Sequence, residues 1–155
     1  MRTLSLFDPL NREHPVLLAK TIRRTIQSTT NPSFKFAADD TLKNSIIVGF
    51  AIRRAAAARL SAGGRALIND TLLAKGFLNI KADGHDDIFE IPLEYLVHAD
   101  TVHGPMQYAQ VRIENWNLEE SSVTFSGTTG AALNEDFELL VIYTTQRFCA
   151  LLPAS

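Results

Sequence analysis

Apolar and polar residues alternate with a period of two along much of this chain, and two stretches are apolar on both faces. The longer of these in the first two thirds is Ser45–Arg54, where Ile46, Val48, Phe50 and Ile52 fall at strand period and Ile47 and Ala51 keep the opposite face apolar. That pattern predicts a buried central strand. Gly49 interrupts the run, where a bulge or a close backbone approach is expected. Phe137, Leu139, Leu140, Val141, Ile142 and Tyr143 predict a second central strand of the same kind near the C-terminal end. Simple alternation predicts half-buried strands at Ser33–Ala37, at Gly76–Lys81 and at residues 87–93, the last two joined as a hairpin through Asp83 and Gly84. It predicts two more at Tyr108–Asn115, with Val111 and Ile113 inward, and at Ser121–Ser126, with Val123 and Phe125 inward. Residues 66–73 contain a candidate short edge strand.

Residues 15–27 satisfy both periods. Leu18, Ile22 and Ile26 are spaced by four, as on a helix opened by Pro15, yet Thr21, Ile22, Thr25 and Ile26 are β-branched, which favours a strand at 20–27. Helix is otherwise confined to a turn after Asp39 and Asp40, about two turns at Ala55–Ala58, and a turn at Leu93–Val97. About seven to nine short strands, separated by Gly, Pro and Asn turns, predict an all-β fold. The expected architecture is an antiparallel β-sandwich, a jelly roll or another Greek key, as a single domain over residues 15–155. Residues 1–14 hold Pro9 and the apolar anchors Leu4, Leu6, Phe7 and Leu10 at no regular period. They predict an extended N-terminal arm that gains order by docking on its own domain or on a neighbour.

With 155 residues, 46% hydrophobic and 21% charged, the chain is long enough for one domain with a substantial core. It has no run of about 18 apolar residues and no signal-peptide pattern at its start, so a soluble protein with no membrane span is expected. Cys149 is the only cysteine, which excludes an intrachain disulfide; its apolar neighbours Phe148, Ala150 and Leu151 predict a buried, inert thiol.

The formal charge of −2 conceals a division: residues 1–81 carry 13 basic and 5 acidic residues, residues 82–155 carry 2 and 12. Either the halves interleave and neutralise each other in one sandwich, or a basic surface of one copy faces an acidic surface of the next. In the second case Arg53, Arg54, Arg59 and Arg65 are the candidate inter-subunit cations, and Glu119, Glu120, Glu135 and Asp136 are among the candidate anions. Nucleic acid is a third candidate partner for the basic half. Against it, Arg23-Arg24 and Arg53-Arg54 are isolated pairs without interleaved aromatics.

Catalytic patterns fail one by one. His85, Asp86 and Asp87 belong to a hairpin turn, where polar residues are solvated, and His98 and His103 lack the His-x-His pair that a cupin-type metal site would present. No Gly-x-Ser-x-Gly is present, and the glycines near Ser61 lack a phosphate-loop pattern. The adjacent carboxylates Asp39-Asp40 and Glu119-Glu120 point apart on a strand or turn. No catalytic residue, metal site or cofactor is therefore expected. A non-catalytic ligand-binding sandwich, such as a carbohydrate-recognition domain, is the alternative, with Trp116, Tyr108 and Tyr95 as stacking candidates; Trp116 is at a turn where an exposed platform would be placed, although packing at the rim is the commoner role for such a residue.

The succession of Ser45–Arg54, residues 64–70, Gly76–Lys81 and Ile88–Leu96, the last with Ile91, Pro92, Leu93 and Leu96 at its end, resembles that of small jelly-roll structural proteins of tailless icosahedral bacteriophages. The resemblance covers residues 45–96 and carries over no catalytic residue. It implies a self-assembling capsid or vertex subunit, made in the host cytoplasm and incorporated into the virion. Its partners would be copies of itself and other shell proteins, with packaged nucleic acid a further contact for the basic residues. A chain of 155 residues suffices for one jelly roll, and not for the double jelly roll of many such shells.

Overall fold

A computed structural model describes residues 17–26, 31–53, 61, 63–68, 70–97, 108–127 and 135–145. Among them, eight strands numbered in chain order form two four-stranded sheets with every pairing antiparallel. In the first sheet β1 (Leu18–Ile26), β8 (Glu135–Thr145), β3 (Ser45–Arg53) and β6 (Ala109–Ile113) lie side by side in that order. In the second the order is β2 (Ser33–Lys35), β7 (Ser122–Phe125), β4 (Gly76–Lys81) and β5 (Ile88–Pro92). Consecutive strands cross from one sheet to the other at every connection except the β4–β5 hairpin, and this interleaved order is that of a jelly roll.

The sequence pattern explains the placements. β3 and β8, apolar on both faces, occupy the centre of the first sheet and are buried along nearly their whole length. β4 and β7 alternate buried with half-exposed positions, as strands with one face on the core should. The doubly periodic segment is a strand: β1 runs along one edge of the sheet and is largely exposed, so its weak patterning reflects light packing. The hairpin turn places Gly84 at φ +87, in the left-handed region that only glycine enters freely.

Two expectations are corrected. First, the register of β3 shifts between Ile47 and Gly49 against both neighbours: Val48 is an extra residue, a bulge, against β8, whereas against β6 the extra residue lies in β6. A bulge inverts the parity of a strand. Ile47 therefore joins Phe50 and Ile52 in the core, while Ile46 falls on the opposite face with Ala51, where both are also buried. The close approach expected at Gly49 is present too, because a Cβ built there would lie 2.1 Å from Cδ2 of Tyr108. Second, the described residues within 66–73 form no edge strand. Leu67 makes a single parallel bridge to Asp136, and Asp70–Leu73 is one helical turn, α2.

The core between the sheets is built around aromatic rings. Trp116 contacts Phe36 and Phe50 edge-on at centroid distances of 5.5 and 5.6 Å, and Phe137 of β8 meets Phe34 and Phe125 of the facing sheet at 5.5 and 6.4 Å. At the β1–β2 side, the short helix α1 (Asp40–Lys43) starts with Asp39 as its cap, whose carboxylate accepts the Leu42 amide at 3.1 Å and also takes the Lys20 ammonium from β1. No helix among the described residues is long and apolar enough to cross a membrane.

Candidate functional site

Part of the charge division is met within the first sheet. β8, which carries acidic residues, lies between β1 and β3, which carry basic ones, so Glu138 faces Arg23 across one ladder and Arg53 across the other. Arg53 Nη1 meets Glu138 Oε2 at 2.9 Å, with the glutamate 1% exposed. Asp136 is equally buried and accepts hydrogen bonds from Thr25 Oγ1 at 2.7 Å and Ser61 Oγ at 2.5 Å. Ser61 Oγ in turn accepts the amides of Gly63 and Arg65, which ties the β3–β4 connection onto β8.

Two inter-subunit assignments change accordingly. Asp136 cannot face another copy, because its carboxylate is enclosed by its own chain. Arg53 is engaged inside the molecule, although its side chain retains some exposure. Arg65, Glu119 and Glu120 are exposed, as an inter-subunit role requires. Glu120 also accepts from Asn117 Nδ2 at 3.3 Å. Leu4, Leu6, Phe7, Leu10, Arg54 and Arg59 lie outside the described residues, as do His98, His103 and Cys149.

The stacking candidates do not form a platform. Trp116 is fully buried, so of its two expected roles it takes packing and not the exposed platform. The reason is that residues 115–117 run antiparallel to residues 81–83: Ala82 and Trp116 form a bridge, the Asp83 amide donates to the Asn115 carbonyl at 2.8 Å, and the Asn117 amide donates to the Lys81 carbonyl at 2.9 Å. Asn115 takes a positive φ of 55 before the bridge, and the indole is directed into the core, where Nε1 donates to Ser121 Oγ at 2.9 Å. Tyr108 is half-buried with its ring over Gly49. Tyr95, 76% exposed, alone remains available for stacking on a ligand.

Sequence reasoning missed the feature that the fold creates at its open edge. β5 and β6 end their respective sheets on the same side, and between them lies a groove of about 620 Å³. Its floor and walls are Ile80, Ala82, Ile91, Val111 and Ile113, with Phe89 half-exposed at the mouth. Polar residues Asp83, His85, Arg112, Glu114 and Asn115 complete the lining. One end abuts the Ala82–Trp116 bridge. Arg112 is paired with Glu114 at 2.9 Å, and the Lys81 ammonium is turned to the His85 carbonyl, so the exposed carboxylates Asp83, Asp86, Asp87 and Glu90 leave this edge acidic. His85 contacts Phe89 edge-on at 6.1 Å. Among the described residues, no group of three His, Cys, Asp or Glu side chains is placed to hold a metal ion. The size and apolar lining are those of a binding cleft, and it is bordered by two strands that end their sheets among the described residues.

Among the described residues, one carboxyl is clearly perturbed. Partial burial pushes Asp39 upward, but the Lys20 ammonium and the Leu42 and Thr41 amides outweigh that and hold it below its ordinary value. Its role is to fasten β1 to the start of α1.

Compared with known proteins, the chain matches no family model, no curated protein and no solved structure.

Proposed function

We propose that this chain is a structural self-assembly protein, a capsid or vertex subunit of a bacteriophage shell, resident in the virion and without catalytic activity. The observation that carries the proposal is the strand order, β1-β8-β3-β6 facing β2-β7-β4-β5. A jelly roll of this size gives a rigid block with loops at its ends and free strand edges at its sides, and viral shells are among the established uses of that architecture. Fold alone does not fix function, and supporting weight comes from the resemblance over residues 45–96 and from the acidic, apolar-floored groove at one edge. Arg65, Glu119 and Glu120 are the exposed charges that would register one copy against the next.

The test is assembly itself. Size-exclusion chromatography with light scattering, followed by negative-stain microscopy, should show closed rings or shells that grow with protein concentration and weaken as salt rises. A monomer at every concentration and ionic strength overturns the proposal.

A second function is favoured by one observation, the 76% exposure of Tyr95, with Ile88 and Phe89 also exposed. These side chains would suit a non-catalytic ligand-binding sandwich, jelly rolls being lectin folds as well. Binding to a glycan array that is lost in Tyr95→Ala, by a protein that stays monomeric, would select this alternative.

A further inference from the structure

We propose that the groove between β5 and β6 is a binding site for a small organic cation, an ammonium group carried on a hydrocarbon or aromatic body. Strand parity explains the apolar half of that chemistry. Phe89 pairs with Ile80, and Ile91 with Leu78, across the β4–β5 ladder. Directly paired residues project to the same face of a sheet, so Phe89 and Ile91 point to the core side with the buried Ile80 and Leu78. From the facing sheet, Val111 and Ile113 also pack against the core. These four inward side chains are nevertheless incompletely covered, and Phe89 keeps 51% of its surface exposed. The groove of about 620 Å³ that they line is within the size range of small-molecule sites, and an apolar body lodged in it removes this surface from water.

Charge sets the sign of the ligand. Residues 80–91 and 111–115, which supply the two walls, hold two cations, Lys81 and Arg112, against five carboxylates, Asp83, Asp86, Asp87, Glu90 and Glu114. Both cations are engaged, the Lys81 ammonium by the His85 carbonyl and Arg112 by Glu114. Among the described residues no ion pair neutralises Asp83, Asp86, Asp87 or Glu90, and Asp83 lines the groove itself. An ammonium at the mouth is attracted by these carboxylates and by the exposed face of the Phe89 ring, whereas a carboxylate or phosphate there is repelled. The site belongs to a single copy and goes beyond the assembly function proposed above.

Isothermal titration of the full chain with octylammonium, kept below its micelle concentration, tests this, since the heat is read whether the protein is monomeric or assembled. Saturable binding at one site per chain is expected. Octanoate, a body of the same length with the opposite charge, should bind at least about fivefold more weakly at low salt, and the difference should narrow as salt rises. Butylammonium, shorter by four methylenes, should bind at least about tenfold more weakly than octylammonium. Two variants at exposed positions, each confirmed by circular dichroism to be folded, locate the site. Phe89→Ala should weaken octylammonium at least about threefold through lost apolar and ring contact, and Asp86→Lys combined with Asp87→Lys should abolish the preference for the cation. Absence of binding, heat that never saturates, equal affinity for octylammonium and octanoate, or an affinity unchanged in Phe89→Ala overturns the proposal. A peptide of alternating lysine and leucine that binds where octylammonium does not also overturns it, and makes the groove a docking site for a protein. Shell formation without octylammonium binding removes this site and leaves the assembly function standing.

Discussion

Replacing Ser121 by alanine removes one oxygen atom, yet it should be among the more damaging substitutions in this protein. Ser121 is fully buried, and its hydroxyl accepts from Trp116 Nε1 at 2.9 Å and from the Lys81 amide at 2.9 Å while donating to the Asn117 carbonyl at 2.7 Å. Alanine keeps the volume nearly constant but leaves two donors facing an apolar methyl. A buried donor without a partner costs about 1–3 kcal/mol, so the pair amounts to roughly 2–4 kcal/mol once some relaxation is allowed. Against a typical domain stability of about 5–15 kcal/mol that is a large fraction. Trp116 is the only tryptophan and is itself the reporter, so urea unfolding can be followed by its fluorescence in parent and variant alike. At an m-value of about 2 kcal/mol/M the midpoint should fall by roughly 1–2 M, with the slope unchanged. Trp116→Phe removes one of the two donors, so Ser121→Ala in that background should cost less than in the parent by about 1 kcal/mol. A Ser121→Ala midpoint within about 0.3 M of the parent, or strictly additive costs in the double variant, would refute the hydroxyl's role as the shared acceptor.

Gly49→Ala forces a methyl into the ring of Tyr108, where the approach would be 2.1 Å, and should cost about 1–3 kcal/mol; Tyr108→Ala in the same chain should recover part of that loss in a thermal melt. Arg53→Met removes a cation from a carboxylate that is 1% exposed. Breaking a fully buried pair costs about 3–5 kcal/mol, and partial solvation of the arginine reduces the expected loss to roughly 1–3 kcal/mol, to be read from urea midpoints. Asp39 has a folded-state pKa below its ordinary value of 3.8, so its contribution is fully present above that value and disappears as pH falls through the folded one. The parent should therefore lose more stability than Asp39→Asn in an acid titration from pH 5 downward, and parallel curves would exclude the carboxylate as a fastener.

Most of the sandwich is legible in the chain because period-two alternation is a direct imprint of one buried face. β4, β5, β6 and β7 fall where Leu78 and Ile80, Ile91, Val111 and Ile113, and Val123 and Phe125 place them. The parity of β3 is not legible, since a bulge is a two-strand event and Val48 looks like any other β-branched residue. The sequence leaves Trp116 between platform and packing because the turn residues around it, Asn115 and Asn117, are those of an exposed loop, whereas a bridge to Ala82, far away in sequence, decides where the indole goes. Asp136 and Glu138 carried a usable signal: they alternate with Phe137 and Leu139, which puts both carboxylates on the face opposite the core, and their basic partners are the neighbours that the sheet order supplies. The groove has no local signature at all. Residues 80–91 make one wall and 111–113 the other, and only the coincidence of two sheet ends brings them together.

The interleaved strand order also governs when the molecule can fold. β8 occupies the middle of the first sheet, holding β1 on one side and β3 on the other, yet it is the last of the described strands to leave the ribosome. Until residues 135–145 emerge, β1 has no partner and β3 lacks the neighbour along most of its length. Synthesis at about 5–20 residues per second leaves the nascent chain for several seconds with those edges open. Only the β4–β5 hairpin pairs neighbours in sequence and can form at once. Folding is thus a late closure, slow for the chain's size because nearly every pairing is distant. A polypeptide that stops short of β8 would present its two strand edges to other chains instead, so for this architecture the arrival of β8 is the step that separates folding from aggregation.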